Sequence, residues 1–251
     1  MNELSSYAER FQTVRFRREE GILQMTLHTD GGPLKWGKVP HAELADAFLC
    51  VAQDRENQVV IITGTGDEFS GPQVTSSDDN RRHHKVSAEE WAELAVTGKN
   101  LLFNLLRIDV PMISAVNGPA VRHAEIPVMC DIVLASENAA FQDSAHFSGG
   151  LVPGDGVHVV FPLVMGLNRG RYFLLTGQSL DAREAKEMGL VNEVLTREGL
   201  MPRAWELARQ LMKQPEINRR YARLLLTERL RKQMHELLPY GLALESFAGL
   251  K

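Results

Sequence analysis

Residues 111–135 read P-M-I-S-A-V-N-G-P-A-V-R-H-A-E-I-P-V-M-C-D-I-V-L-A. Two apolar runs, Pro111–Val116 and Ile132–Ala135, flank a stretch that holds Arg122, His123 and Glu125. Short apolar runs bounded by turn residues are the signature of strands covered on both faces, as in a parallel sheet. Side chains that resist burial, set in the connection between two such strands, mark a candidate site.

Outward from this stretch the chain alternates strand and helix patterns. Residues 12–18 and 21–28 alternate apolar and polar positions around Glu20-Gly21, which predicts a hairpin. Residues 29–33 (T-D-G-G-P) form a turn cluster, and residues 40–54 carry Leu44, Phe48 and Val51 at helical spacing. Gln58-Val-Val-Ile-Ile-Thr63 reads as a buried strand that ends in the Gly64-Thr-Gly66 loop. A polar segment to about Lys85 is expected to be a mobile surface stretch. Ser87 and Glu90 then spell a capping box for a helix to about Leu106. A strand near 129–135, helices at 157–166 and 168–177, and a helix at 181–188 capped by Asp181 and ended by Gly189 follow. Residues 191–195 predict a short strand, and the chain is helix-forming from Leu200 onward. Strand–helix units followed by helices predict an α/β core over 1–195 and a helical region over 196–251.

The composition restricts the partners. A chain of 251 residues with 44% hydrophobic and 24% charged residues builds a substantial core. A net charge of −4 gives no footprint for nucleic acid or an anionic membrane. The first ten residues lack an apolar signal core and no run is long enough to span a bilayer, so the expected setting is soluble and cytoplasmic. In that setting Cys50 and Cys130, both in apolar surroundings, read as buried thiols rather than a disulfide.

Several motifs in order then carry a resemblance. They are Ile61-Ile-Thr-Gly64, Phe69-Ser-Gly71, Ala115-Val-Asn-Gly118, Met129-Cys-Asp131, residues 135–141 (A-S-E-N-A-A-F), Pro153-Gly154, Leu175-Thr-Gly177 and residues 185–192. Together they resemble the crotonase (enoyl-CoA hydratase/isomerase) superfamily over about residues 12–250. The resemblance implies a spiral of ββα turns with helical C-terminal segments, assembled as a homotrimer or as a hexamer made of two trimers. It also implies a pair of backbone N–H donors that stabilise a thioester enolate, one of them in a glycine-rich turn where a bare backbone approaches the oxygen closely. This chain departs from that pattern. Val121-Arg122-His123 stand where the glycines belong, and the second turn reads Gly71-Pro72-Gln73-Val74, in which proline has no N–H to offer.

The altered pattern is similar to the β-diketone hydrolase (6-oxocamphor hydrolase) branch. The matching pieces include P-L-K-W (33–36), H-A-E-L (41–44), H-A-E-I-P-V-M (123–129), F-Q-D-S-A-H-F (141–147) and V-P-G-D-G (152–156). The resemblance implies functional roles for Trp36, His41, His123, His146, Asp155 and Glu245, the last in a less closely matched tail. It also implies a retro-Claisen hydrolysis without a cofactor. Water attacks one carbonyl of a cyclic diketone, a C–C bond breaks, and the second carbonyl delocalises the leaving carbanion as an enolate.

Such chemistry needs a base or polarising group at one carbonyl, a donor at the other, and a proton for the enolate carbon. His146 and Asp155 lie nine residues apart across a glycine-rich loop that can fold back into a carboxylate–imidazole pair. Alternatively His146 is a surface residue and Asp155 caps the next helix; Asp155 can also do both. Trp36 offers a neutral N–H donor for a ketone oxygen, or simply packs. His123 replaces the backbone donors with an imidazole that holds or protonates the enolate, or is a polar loop residue. His41 is a further candidate or begins its helix. Glu245 orients water or is a solvated helix carboxylate. Glu125 stands where hydratases of the family carry a catalytic acid, and its altered setting reads as a supporting role. Arg122 is expected to face solvent or a neighbouring subunit. His83-His84, among basic residues, reads as solvated loop; His28 ends a strand and His158 packs at a helix start. The histidine spacings match no common zinc site, so no metal is assigned. The competing functions are acyl-CoA hydration or isomerisation and a non-enzymatic interaction protein. The basic amphipathic segment 217–232 reads as a subunit-facing helix rather than an RNA-binding patch.

Overall fold

The structure is a computed structural model that describes residues 3–71 and 86–250. After one helical turn, Leu4–Tyr7 (α1), strands Val14–Glu19 (β1) and Ile22–Leu27 (β2) pair antiparallel. Glu20 and Gly21 join them with φ of 50° and 81°, the left-handed turn whose twist suits a hairpin. Lys38–Gln53 (α2) leads to Val59–Gly64 (β3), and Ala88–Arg107 (α3) to Met112–Val116 (β4). A helical turn, Glu125–Val128 (α4), precedes Ile132–Ser136 (β5) and Ala140–Phe141 (β6). Val157–Met165 (α5), Leu167–Thr176 (α6), Leu180–Asp181 (β7), Ala182–Glu187 (α7) and Glu193–Leu195 (β8) follow. Arg197–Met212 (α8), Glu216–Leu226 (α9) and Glu228–Gly249 (α10) complete the chain.

Six strands form one sheet in the order β1-β2-β3-β4-β5-β8, parallel from β2 onward. Its two faces follow from the two-residue period of a strand. Val60 and Ile62 of β3 enter the larger core with α2, α3 and α5, while Val59 and Ile61 meet Leu200, Ala204 and Ala208 of α8. The β-branched run therefore has no polar alternation because both faces are covered.

The expected elements are present with shifted ends: the strand foreseen from 191 starts at Glu193, and the helix foreseen from Leu200 starts at Arg197. The helix foreseen from residue 40 starts at Lys38, because Pro40 falls in the first turn, where a missing N–H breaks no bond. The strand foreseen near 129 starts at Ile132, because Met129 N–H still closes a helical turn on Glu125 O at 2.8 Å. The capping boxes at Ser87/Glu90 and Asp181/Glu184 are both formed. Cys50 and Cys130 are buried free thiols. Pro72, Gln73, Val74, His83 and His84 lie outside the described residues. No described helix is long and apolar enough to cross a membrane.

A second, smaller layer positions the site. Single-residue bridges pair Lys35 with Gly71, Ser70 with Ala120, and Ala120 with Phe141, and β6 pairs with β7. This ladder sets the chain segments ending in Trp36, Gly71, His123 and His146 side by side. The C-terminal helix α10 packs across α3 and α5. Its approach depends on Gly154, where a Cβ would collide with the Gly241 carbonyl and stand 2.7 Å from the Cβ of Glu245. Gly154→Ala is expected to push α10 away from the loop before α5 and to lower stability by about 1–3 kcal/mol, measured by urea denaturation; an unchanged midpoint would show that the contact is slack.

Candidate active site

The site grows from the ladder. The amides of Val121 and Arg122 both donate to the Ser70 carbonyl, at 2.9 and 3.3 Å. These N–H groups therefore hold the chain to its neighbour and are turned away from any ligand oxygen. The next residue, His123, takes φ of 48°, a left-handed conformation that costs a residue with a Cβ roughly 1–2 kcal/mol. That backbone suits glycine, and here it carries an imidazole.

The His123 ring stacks on Trp36 with centroids 4.2 Å apart and planes inclined by 37°, and His41 lies 5.4 Å from it. Its Nδ1–H donates to Glu125 Oε1 at 2.7 Å, leaving Nε2 as the ring nitrogen open to the cavity. Asp155 Oδ2 stands 3.5 Å from the same Nδ1 and 3.3 Å from Nε2 of His146. His146 Nδ1 donates to Asp143 at 2.7 Å, and Glu245 Oε1 of α10 reaches within 3.6 Å of Nε2. One carboxylate oxygen thus sits between two imidazoles, with three further carboxyl groups around them. Glu125, Asp143, Asp155 and Glu245 are all buried, and each keeps one oxygen without a hydrogen-bond partner among the described residues.

These contacts set the charge states. Burial raises the pKa of Asp155, but the His146 imidazolium, their hydrogen bond and then His123 override it and hold the carboxyl below its usual range. Burial would lower the pKa of His146; Asp155, with Asp143 and Glu245, overcomes that and raises it well above 6.5. His123 is also raised, since the Glu125 carboxylate outweighs burial. Glu125 and Glu245 are both shifted upward, chiefly by burial. His41, buried and facing His123, is pushed down to about 4 and is neutral at physiological pH. The cluster therefore offers two imidazoles held toward the charged form, a neutral imidazole, a fixed carboxylate and two carboxyl groups shifted upward.

A cavity of about 310 Å³ opens onto Trp36, His41, His123, His146, Asp155 and Glu245, with Trp91, Leu94 and Leu242 on its apolar side. All six residues singled out in the sequence therefore line one space. Three assignments change. Asp155 caps no helix: Gly156 is the N-cap of α5 and no side chain bonds its first amides. Arg122, expected toward solvent or a neighbouring subunit, is among the residues that line the same cavity. His41 sits inside the first turn of α2 rather than at its start. His158, in α5, sits 3.2 Å through Nε2 from the Leu237 carbonyl, and His28 lies one residue beyond β2. Asp143 was passed over, although its place three residues before His146 on the same loop was the available signal. Glu125 supports His123 directly.

His123 Nδ1, Glu125 and Asp155 bring ligand-type atoms within 4.8 Å of one another, a grouping compact enough for a cation. In this structure the imidazole and Glu125 are paired with each other, Nδ1 to Oε1, at 2.7 Å.

The family profile described as Enoyl-CoA hydratase/isomerase matches residues 17–247. Carnitinyl-CoA dehydratase of Citrobacter koseri is 30% identical over 80% of this chain and 75% of its own. Crotonyl-CoA hydratase of Syntrophomonas wolfei is 26% identical over 82% and 78%. Among solved structures, a β-diketone hydrolase from the cyanobacterium Anabaena sp. PCC 7120, bound to (S)-3-oxocyclohexyl acetic acid, is 45% identical. It covers 97% of this chain and 96% of its own with a TM-score of 0.91. An enoyl-CoA hydratase/isomerase from Mycobacterium paratuberculosis is 25% identical over 96% and 94%, with a TM-score of 0.85.

His41 gives the site a measurable pH signature. With a folded pKa of about 4 against 6.5 unfolded, the unfolded state binds the extra proton between those values. Its contribution to stability is therefore present above pH 6.5 and falls by about 3 kcal/mol as pH drops to 4. His41→Gln is expected to gain stability relative to the parent by about that amount between pH 7 and 4. Parallel urea melts check this; identical pH profiles would place His41 in water.

Proposed function

Because the chain belongs to the enoyl-CoA hydratase/isomerase family, we propose that it puts that fold to a different use, as a hydrolase that cleaves a C–C bond of a bicyclic β-diketone without coenzyme A. The observation that carries this proposal is the replacement of backbone donors by side chains at 121–123. The amides of Val121 and Arg122 are bonded to Ser70, and the His123 ring enters the cavity instead. The compound bound to the 45% identical β-diketone hydrolase has a ketone and a carboxylic acid in one molecule. Those are the two groups that retro-Claisen cleavage leaves. Joining its acid carbon to the free ring carbon beside the ketone, opposite the substituted position, regenerates a bicyclic 1,3-diketone.

In this proposal the attacked carbonyl lies against Nε2 of His146, whose imidazolium stabilises the oxyanion that forms when water adds. Glu245, a carboxyl group that titrates high and stands 3.6 Å from that nitrogen, takes a proton from the attacking water. The tetrahedral adduct collapses, the acyl–carbon bond breaks, and its electron pair passes into the second carbonyl as an enolate. Trp36 donates its indole N–H to that oxygen, and His123, replenished through Glu125, returns a proton to the enolate carbon. The sum is one water added and one C–C bond exchanged for a C–H bond and a carboxylic acid. Asp155 keeps both imidazoles charged and oriented. The enzyme is proposed to work as a homotrimer or a pair of trimers, which would cover Ile217, Tyr221 and Leu225 of α9, exposed on the single chain.

Bicyclo[2.2.2]octane-2,6-dione is expected to be converted to 3-oxocyclohexyl acetic acid with no CoA present, followed by chromatography. His146→Ala and Asp155→Asn should each lower kcat/KM by about 100-fold or more. Hydration of crotonyl-CoA with no diketone turnover would assign the CoA-dependent alternative that the curated relatives represent. Full diketone activity in both variants would remove His146 and Asp155 from the reaction.

A further inference from the structure

His146 meets carboxyl groups at both ring nitrogens; Asp155 and Glu245, on the Nε2 side, enter the scheme above, and Asp143, on Nδ1, does not. Asp143 lies two residues beyond Phe141, which the bridge to Ala120 and the pairing with β7 hold in place. Its Oδ1 accepts from His146 Nδ1 at 2.7 Å, and both side chains are at least nineteen-twentieths buried (3% and 5% exposed). Its Oδ2 is buried with no partner among the described residues. A carboxylate buried with half its acceptors unmatched costs stability, so packing does not account for an acid at this position. An imidazole whose two nitrogens both meet carboxylates satisfies them only by donating from both, that is, as the imidazolium.

We propose that Asp143 is a positioning residue: by holding the Nδ1–H of His146 it fixes the ring so that Nε2–H, shared between Asp155 and the reacting carbonyl, stays a donor rather than becoming a base. The proposal rests on the hydrolase function above and divides its labour, with proton abstraction left to Glu245. The titratable groups facing His146 are Asp143 on its own loop, Asp155 ahead of α5, Glu245 on α10 and His123 ahead of α4, with His158 of α5 beyond them. Of these, Asp143 alone meets Nδ1.

Asp143→Asn is the discriminating change. The amide oxygen can still accept from Nδ1–H, so the ring stays oriented while one negative charge is lost. The His146 ring, followed by ¹⁵N NMR in the substrate-free protein with His146→Ala as the assignment control, should titrate about 1–2 pH units lower. In diketone turnover the alkaline limb of the variant's kcat/KM profile should be displaced to lower pH by the same amount, as Nε2–H is given up. Asp143→Ala, which removes the acceptor as well, should lose activity at every pH. A His146 titration unmoved by Asp143→Asn, or a uniform loss of activity with a lowered Tm, would overturn the proposal. The parent protein supplies a check that needs no variant. At pH 7, just above the ordinary imidazole midpoint, both His146 ring nitrogens should give protonated ¹⁵N shifts, and a neutral ring would also overturn it. Neither NMR measurement involves substrate, so absence of diketone turnover would defeat the hydrolase function without touching the positioning role.

Discussion

The cavity is organised by one carboxylate oxygen, Oδ2 of Asp155, at 3.3 Å from His146 and 3.5 Å from His123. Two imidazoles brought together in a buried space repel when protonated and each loses its proton through desolvation. The shared carboxylate reverses both tendencies. It makes the two rings chargeable, and in return they keep it ionised. The surrounding acids then settle unevenly, with Glu125 and Glu245 shifted upward while Asp155 goes down. Separated titration among neighbouring acids is what lets one pocket accept and donate protons at the same pH.

The fold's part in this is to bring five remote segments to one point. Trp36, His123 and His146 arrive on adjacent rungs of the small ladder, Asp155 on the loop ahead of α5, and Glu245 on α10. None of these segments could be shifted alone. Gly154 touches the backbone of α10, and Ser70 holds the stretch that ends in His123. Rigidity of this kind is what keeps contacts of 3.3–3.6 Å between side chains of different segments in register.

The regular elements were legible in the sequence because their determinants are local. Val59–Thr63 is β-branched throughout, and Ser87 and Glu90 stand at capping-box spacing. The small ladder was not legible, since it consists of single bridges between residues up to fifty positions apart, with no run of side chains to announce it. The site was legible as a set of residues, through its likeness to a known branch, and much less as a network. Spacing tied His146 to Asp155, yet the shorter contact is with Asp143, three positions away on the same loop. The place of Glu245 depends on how α10 crosses α3 and α5, a long-range packing outcome that no local pattern encodes.

The left-handed backbone of His123 has an implication for how such sites arise. At that corner the chain follows a path suited to glycine, and the ladder enforces it whatever residue is present. The corner is thus a socket with a fixed orientation: a glycine there would present main chain, and any side chain placed there is delivered into the same space. Change of chemistry at this point is a matter of exchanging one residue in a scaffold that does not need to be redrawn, at a conformational cost of roughly 1–2 kcal/mol that a well-packed domain can absorb. A lineage can therefore move between main-chain and side-chain catalysis through this corner, and the surrounding carboxylates decide whether the newcomer is useful.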